Sequence, residues 1–306
     1  VERRLKFMAI FDLDAYLMEL AKKYFPSPFN QFISRIDTTS LLKVKNAESY
    51  GFEIKNSKPQ GTMFMGESVL KNDTNETQTI KSDSFTKTIT DSITLSVTNG
   101  IKTGIEINVG GKVFGIGVET SMSFEVSTST TREQTSTEGV AYTVPSQDVV
   151  VPAKKIYYVY TALQRSQLEG TIRLRADLFN AFGVYMNMGG KEIPLGSYWI
   201  YDFIKENQSL HPLPSGISLN HNDRSVHFEG VAEYLYGTGT KFNVTITDTP
   251  SSQGTQEHKP FDAKTGLGTY ELRLDGKKLG FDLNDLKEHM DPKDFEKLKE
   301  MQSEIV

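Results

Sequence analysis

Every even-numbered position from 82 to 98 is a serine or threonine: Ser82, Ser84, Thr86, Thr88, Thr90, Ser92, Thr94, Ser96 and Thr98. The odd positions between them turn apolar through Phe85, Ile89, Ile93, Leu95 and Val97. Successive side chains of a strand point to opposite faces, so this pattern dictates an extended segment with one hydroxyl face and one greasy face. The alternation continues through Ile101, Thr103, Ile105, Ile107 and Val109 to Gly110-Gly111-Lys112, which reads as a turn. Beyond it the parity reverses. Phe114, Ile116, Val118, Met122, Phe124 and Val126 are now apolar, and Ser121, Ser123, Ser127, Ser129 and Thr131 are polar. Paired residues of a hairpin project to the same side, so folding the arms on that turn merges both apolar sets into one face.

The expectation is a membrane-inserting β-hairpin over 93–126. Its lipid face would be Ile101, Ile105, Ile107, Val109, Phe114, Ile116 and Val118, with Gly110, Gly111 and Lys112 at the turn. Thr94, Ser96, Thr98, Lys102, Glu106, Ser121 and Ser123 would line a water-filled lumen, where Lys102, Glu106 and Lys112 form rings of charge. Ser/Thr faces also occur on solvent-exposed sheets of ordinary sandwiches. The length of the stripe, the reversal of parity and the apolar arms beside the turn favour the membrane. Residues 101 to 109 also match the roughly nine to eleven residues that a tilted strand needs to cross hydrocarbon.

The chain has 306 residues, enough for two or more domains, and 37% of them are hydrophobic with a mean hydropathy of -0.39. No apolar run is long enough for a transmembrane helix, so entry into a bilayer requires a β-barrel, here assembled from several chains. A net charge of -5 and a pI near 5.7 argue against a nucleic-acid footprint and suit an exported molecule. The absence of cysteine excludes disulfides and thiolate metal sites but leaves the compartment open. Val1 at the start is compatible with a leader already removed, and Asp12 and Asp14 show that the apolar stretch around them is no intact signal peptide.

Residues 8 to 25 have helical spacing, with Ile10, Leu13, Leu17, Leu20 and Ala21 on one stripe and Pro26 and Pro28 as the stop. Aromatics crowd this region: Phe7, Phe11, Tyr16, Tyr24, Phe25, Phe29 and Phe32. They pack a helix onto a sheet or expose a docking patch. No proline occurs from 61 to 144, so long strands are expected; 82 to 109 would extend about 90 Å if uninterrupted. Residues 156 to 160 read as a strand, a second aromatic cluster spans 179 to 203, and Gly237-Thr238-Gly239 reads as a hairpin turn between 231–236 and 242–247. In the tail, Asp275-Gly276 marks a hairpin turn after Tyr270, Leu272 and Leu274, and Asp291-Pro292 opens a charged helix.

Motifs for catalysis are weak. Phe11-Asp12-Leu13-Asp14 superficially matches the entry of aspartyl-nucleophile phosphatases, but its helical spacing and the β-rich remainder argue against that chemistry. Gly110-Gly111-Lys112 is no phosphate loop, since Glu106 and Val113 stand where Gly and Ser or Thr are required. His211, His221, His227, His258 and His289 lack metal-ligand spacing. No catalytic residue, metal or cofactor is therefore expected. Four Asn-X-Ser/Thr matches, at Asn72, Asn75, Asn207 and Asn243, read as chance.

The order of Leu70-Lys71-Asn72-Asp73-Thr74, Gln78, Phe85, the Thr-rich run, the hairpin, and then Val151-Pro152-Ala153-Lys154 before a strand resembles the aerolysin-type β-pore-forming toxins. Met8-Ala9-Ile10-Phe11-Asp12-Leu13 is similar to the start of some insecticidal members, and Phe228 to Asp248 to their late hairpin. Within that family the chain resembles the branch of clostridial epsilon toxin, the mosquitocidal toxins and related insecticidal proteins. The resemblance covers about 8 to 250 and implies a mainly β, elongated fold of long twisted antiparallel strands with a small α-containing head. It further implies a protoxin, secreted or associated with spores or crystals, that binds a surface receptor (protein or glycan). A host protease then trims it, and it assembles as a homo-oligomeric ring in the target-cell membrane, without enzymatic activity.

On this basis 1–60 with 156–225 is expected as a receptor-binding head. Residues 61–155 with 226–262 form the oligomerisation and pore-forming body, and 263–306 is a tail that serves as a candidate propeptide. Tyr185, Tyr198, Trp199 and Tyr201 are the receptor-binding candidates. Arg3-Arg4, Lys22-Lys23, Lys259 and Lys264 are trypsin-type sites. The alternative is a secreted adhesin or lectin that uses the same aromatics on glycans without making pores.

Overall fold

The structure, a computed structural model, describes residues 9–114, 121–250 and 259–274. The segment read as a single helix is two elements, β1 (Ala9–Asp12) and α1 (Leu13–Tyr24). Residues Ala9 to Asp12 pair in parallel with Asn99 to Lys102, so a sheet edge captures them before a helix can start. Asp12 makes the switch: its Oδ1 accepts the Ala15 N–H at 2.9 Å and caps the helix. Leu13, Tyr16, Leu17, Leu20 and Ala21 form the buried stripe. Phe25, ahead of Pro26, adopts an extended ψ of 138 and ends the helix.

A 3-10 turn and β2 (Ile33–Asp37) follow, then β3 (Leu42–Lys71), β4 (Gln78–Lys81), β5 (Phe85–Lys102), β6 (Asn108–Phe114), β7 (Ser121–Ser127), β8 (Gln134–Val144) and β9 (Asp148–Val151). The remaining elements are β10 (Ile156–Met188), β11 (Lys191–Trp199), α2 (Ile200–Asn207), β12 (Ile217–Asn220), β13 (Ser225–Thr247) and β14 (Gly268–Leu272). One sheet runs β1-β5-β13-β10-β3-β6-β7, with β2 and β11 also on β10, β12 and β14 on β13, and β8 on β5; β4 and β9 pair separately. The protein is thus mainly β with a small helical part. Strands β3, β5, β10 and β13 have 30, 18, 33 and 23 residues, far beyond the usual ten or so.

The alternation in β5 behaves as its sequence dictates up to Val97: Ile89, Ile93, Leu95 and Val97 are buried, and Thr88 and Thr90 are exposed. It does not continue unbroken to Val109. Against β13, Asn99 pairs with Val231 and Val97 with Ala232, which leaves Thr98 as an extra residue whose hydroxyl donates to the Val231 carbonyl at 3.0 Å. The strand then ends at Lys102 and resumes at Asn108. The turn expected at Gly237-Thr238-Gly239 is absent too, because β13 runs straight through it. There the Thr238 hydroxyl donates at 2.9 Å to Asp91, a fully buried carboxylate that also holds Arg165 Nη2 at 3.3 Å. Gly189 and Gly190, at φ 61 and 79, do form a tight turn between β10 and β11.

Two compact units divide the chain. One comprises 1–61, 88–140 and 165–239, the other 62–87, 141–164 and 240–306. In the first, a single apolar core joins α1, α2, β5, β10 and β13 to β6 and β7. The hairpin segment therefore packs in the same unit as 1–61, where a separate head was expected. In the second unit, Asn72 is almost fully buried, and its Nδ2 lies 2.8 Å from the Glu76 and Val151 carbonyls. A side chain engaged in this way is no open glycosylation acceptor. The end of the tail hairpin, from Asp275, and the terminal helix fall outside the described residues.

Candidate membrane-inserting hairpin

Strands β6 and β7 are an antiparallel pair in which Val109 faces Val126, Gly111 faces Phe124 and Val113 faces Met122. Val109, Val113, Met122, Phe124 and Val126 are all buried in the core of their unit, as is Ile107 just before β6. The other face is wet: Asn108, Gly110, Lys112, Ser123 and Glu125 are exposed. The two-faced hairpin expected from the parity is present, with its apolar face against protein.

Its turn is elsewhere. Gly110, Gly111 and Lys112 sit inside β6 and pair with Glu125, Phe124 and Ser123, so they do not form the turn. Gly111 belongs to a strand for a packing reason: a Cβ there would lie 1.9 Å from Ser49 Oγ and 2.5 Å from Phe124 Cζ, so only glycine admits those neighbours. Val113 consequently joins the apolar face, a position that the expected turn left out. Ile116 and Val118 lie outside the described residues, and of Phe114 only the backbone pairing with Ser121 is described. Ile101 is buried at the end of β5, and Ile105 is half-buried in the connection to β6, so neither belongs to the paired arms.

That connection, 103–107, is pinned by two threonines. The Thr128 hydroxyl lies 3.0 Å from the Ile101 carbonyl and 3.2 Å from that of Ile107, and its backbone exchanges bonds with the same two residues. Thr38 Oγ1 accepts the Gly104 N–H at 2.8 Å and donates to Asp14 Oδ1 at 2.7 Å. Burial raises the pKa of Asp14, opposed by its bond from Thr38. Lys102 pairs with Asp12 at 3.3 Å across an exposed surface. The anchors at Thr128 and Thr38 carried no periodic signal in the sequence.

The lumen candidates separate into groups. Ser123 is exposed on the polar face of the hairpin, and only the backbone of Ser121 is described. Thr94, Ser96, Thr98 and Lys102 belong to β5: Thr94 bonds Thr135 at 2.8 Å, the Ser96 hydroxyl donates to the Thr131 carbonyl at 3.2 Å, and Thr98 is buried. Glu106 is exposed in the connection. Lys112 and Glu125, rather than Lys102 and Glu106, are the charges that β6 and β7 themselves present.

The aromatic candidates are not equivalent. Trp199 is 62% exposed, whereas Tyr201 is buried with its hydroxyl 2.6 Å from His221 Nδ1. Tyr198 packs in a cluster with Tyr24, Phe25, Phe182 and Phe203, and burial raises its pKa. Tyr185 carries Arg35 over its ring at 3.9 Å. Tyr24, Phe29 and Phe32 are further exposed rings of the same unit. The histidines are dispersed: His211 stacks on Tyr16, His221 meets Tyr201 and His227 bonds Asp177 at 2.7 Å, while His258 and His289 lie outside the described residues. Burial opposes ionisation of Asp177, but bonds from Asn46 and His227 outweigh it and lower the pKa.

A sequence model of the Clostridium epsilon toxin ETX/Bacillus mosquitocidal toxin MTX2 family matches residues 36–260. No curated protein sequence matches the chain. Among solved structures it is similar to the Mpp75Aa1.1 beta-pore-forming protein from Brevibacillus laterosporus, at 20% identity over 88% of this chain and 98% of that one, with a TM-score of 0.56. It is also similar to a non-toxic crystal protein from Bacillus thuringiensis, at 14% identity over 79% and 99%, with a TM-score of 0.54. At such identities these likenesses speak for the fold. The family match takes in β3 to β13 with the two-faced hairpin among them, and the chain therefore belongs to the Clostridium epsilon toxin ETX/Bacillus mosquitocidal toxin MTX2 family.

Proposed function

We propose that this chain is the water-soluble form of a toxin that perforates target-cell membranes by releasing residues 108–127 from its core and inserting them as one hairpin of a shared β-barrel. The observation that carries this reading is the burial of Val109, Val113, Met122, Phe124 and Val126 on one face of a hairpin whose other face is wet. The described arms have seven residues each, approaching the roughly nine to eleven of a tilted membrane strand.

Burying five such side chains is worth on the order of 10 kcal/mol whether protein or lipid covers them, so release into water is costly and exchange between the two beds is nearly neutral. The backbone decides the order of events. A lone hairpin would leave edge amides unsatisfied in hydrocarbon at several kcal/mol each, whereas a closed ring of copies pairs every edge. Assembly therefore precedes insertion. In the barrel, Val109, Val113, Met122, Phe124 and Val126 face lipid, and Lys112, Ser123 and Glu125 face water. The residues of β5 named above continue the barrel wall outside the bilayer.

Receptor docking falls to exposed aromatics of the first unit, Trp199, Phe29 and Phe32, and Tyr24 beside Tyr198. Activation falls to a host protease. Lys259 and Lys264 are exposed, the latter in a turn, while Lys22 and Lys23 stand in the last turn of α1, a poor conformation for cleavage. An insect is the target most in keeping with the family.

Glu48 and Gly110 are direct partners across β3 and β6, and a Cβ on Gly110 would meet nothing nearer than 3.9 Å. A Glu48→Cys/Gly110→Cys pair therefore sits at facing positions of adjacent strands, and a disulfide formed between them ties the hairpin to its bed. Oxidised protein should bind insect midgut vesicles without releasing an enclosed dye and should regain release on reduction. Full release from the locked protein would refute the assignment, and no release from the unmodified protein would align it instead with a non-toxic relative.

A further inference from the structure

A groove of about 650 Å³ lies on β3, β5, β10 and β13 of the first unit, apart from both the hairpin and the exposed docking aromatics. Tyr50, Phe52, Lys55, Asn99, Thr171 and Arg173 line it. Two strand irregularities shape it: the extra residue Thr98 in β5, and Gly51 in β3, which adopts φ +60 and brings its backbone close to the Arg173 side chain. Such irregularities re-aim side chains and open space that a regular sheet fills.

Its charges are unspent. Arg35, Arg165, Arg175 and Arg224 each hold a carboxylate. Arg173 has no carboxylate or hydrogen-bond partner among the described residues, and the Lys55 ammonium has none either. The one acid lining the groove, Glu53, already accepts the Thr171 hydroxyl at 3.2 Å. In a chain of net charge -5, this is a local surplus of positive charge in a concave site.

Its rings are fixed. Phe52 stacks on buried Tyr234 at 4.4 Å, and Tyr50 donates its hydroxyl to Glu229 at 3.0 Å beneath the Arg175 guanidinium. Rigid aromatic faces suit the C–H faces of a pyranose, and a free guanidinium suits a planar carboxylate through paired hydrogen bonds. A compact inorganic anion would use the cations and leave the rings idle.

We propose that this groove binds a carboxylate-bearing saccharide, with Arg173 gripping the carboxylate, Tyr50 and Phe52 backing the ring, and Asn99 and Lys55 reaching its oxygens. The site acts in the soluble chain, so it is read without membranes and independently of hairpin release.

Titration calorimetry and saturation-transfer NMR with 3′-sialyllactose, a glucuronic-acid-terminated disaccharide, lactose and inorganic phosphate test it. At least one acidic saccharide should bind saturably, with lactose weaker by about tenfold or more, the loss expected when a hydrogen bond to a charged group goes unmade. Arg173→Ala should weaken the acidic sugar by a similar factor and Arg173→Lys by less, with thermal melting confirming the fold. If Arg173→Ala does not fold, Arg173→Gln takes its place. Failure of both acidic sugars to bind, equal binding of lactose, phosphate binding with the same dependence on Arg173, or indifference to the Arg173 variants would each overturn the proposal.

Discussion

The ring of Phe124 occupies the space that a side chain on Gly111 would need, its Cζ only 2.5 Å from where a Cβ would stand. From the bed, Ser49 of β3 closes the same space, its Oγ 1.9 Å from that point, so the hairpin and its bed interlock at a position without a side chain of its own. Gly111→Val should displace both Phe124 and Ser49, lower the melting temperature and increase binding of a hydrophobic dye as the apolar face lifts. A cost of about 1–3 kcal/mol is expected for such overpacking. Gly110→Ala, one residue away, points into open space and should be nearly neutral. Equal effects of the two substitutions would mean that this face is not packed as described.

Thr128 holds the root of the hairpin through the carbonyls of Ile101 and Ile107 while being wholly buried itself. Thr128→Val keeps the shape and removes the hydroxyl, withdrawing one buried hydrogen bond shared between the two carbonyls, while Ile107 still accepts the Thr128 N–H at 3.0 Å. The soluble form should lose about 1–3 kcal/mol. Because the inserted state does not use this bond, dye release should become faster even as the melting temperature falls. Slower release would place Thr128 in the pore itself rather than in the latch.

The alternating strands were legible because a period of two is written locally. The Ser/Thr stripe predicts the faces of β5 up to Val97, and the reversed parity of Met122, Phe124 and Val126 predicts β7. What the sequence concealed lies in partners far along the chain. Gly110-Gly111-Lys112 carries a local turn signal, yet Ser49 and Phe124 make it a strand. Thr98 looks like one more member of the stripe until Val231 shows it to be the extra residue. Asp12 reads as helix and instead ends a strand that exists only because β5 accepts it. Tyr201 resembles Trp199 in composition, but α2 turns one into the core and leaves the other in water.

Asp37 sets a pH dependence. Its carboxylate accepts the Thr39 N–H at 3.0 Å, the Thr39 hydroxyl at 2.5 Å and the Ser40 hydroxyl at 3.2 Å, and Arg35 lies 3.3 Å away. The Thr39 hydroxyl above all, against the opposing effect of burial, lowers its pKa to about 2. A depressed value in the fold means that this stability is present above the ordinary carboxylate value near 3.8 and disappears as pH falls through about 2. Asp37→Asn should therefore cost on the order of 2 kcal/mol at pH 6, and the gap to the parent in denaturant melts should close toward pH 2. A constant gap across that window would assign the loss to packing instead.

Lys112 and Glu125 are exposed on the polar face of the hairpin, at neighbouring rungs where Lys112 pairs with Ser123 and Gly110 with Glu125. In a ring of copies each becomes a circle of like charge facing the lumen, one positive and one negative, so the parent pore should discriminate weakly between ions. Glu125→Lys leaves two positive circles and should move the reversal potential in a KCl gradient toward that of chloride. Lys112→Glu should move it toward that of potassium. Neither change touches the buried face, so both variants should still insert. A reversal potential indifferent to both substitutions, with conductance intact, would place these side chains outside the lumen and make the water-facing side of the hairpin the wrong one.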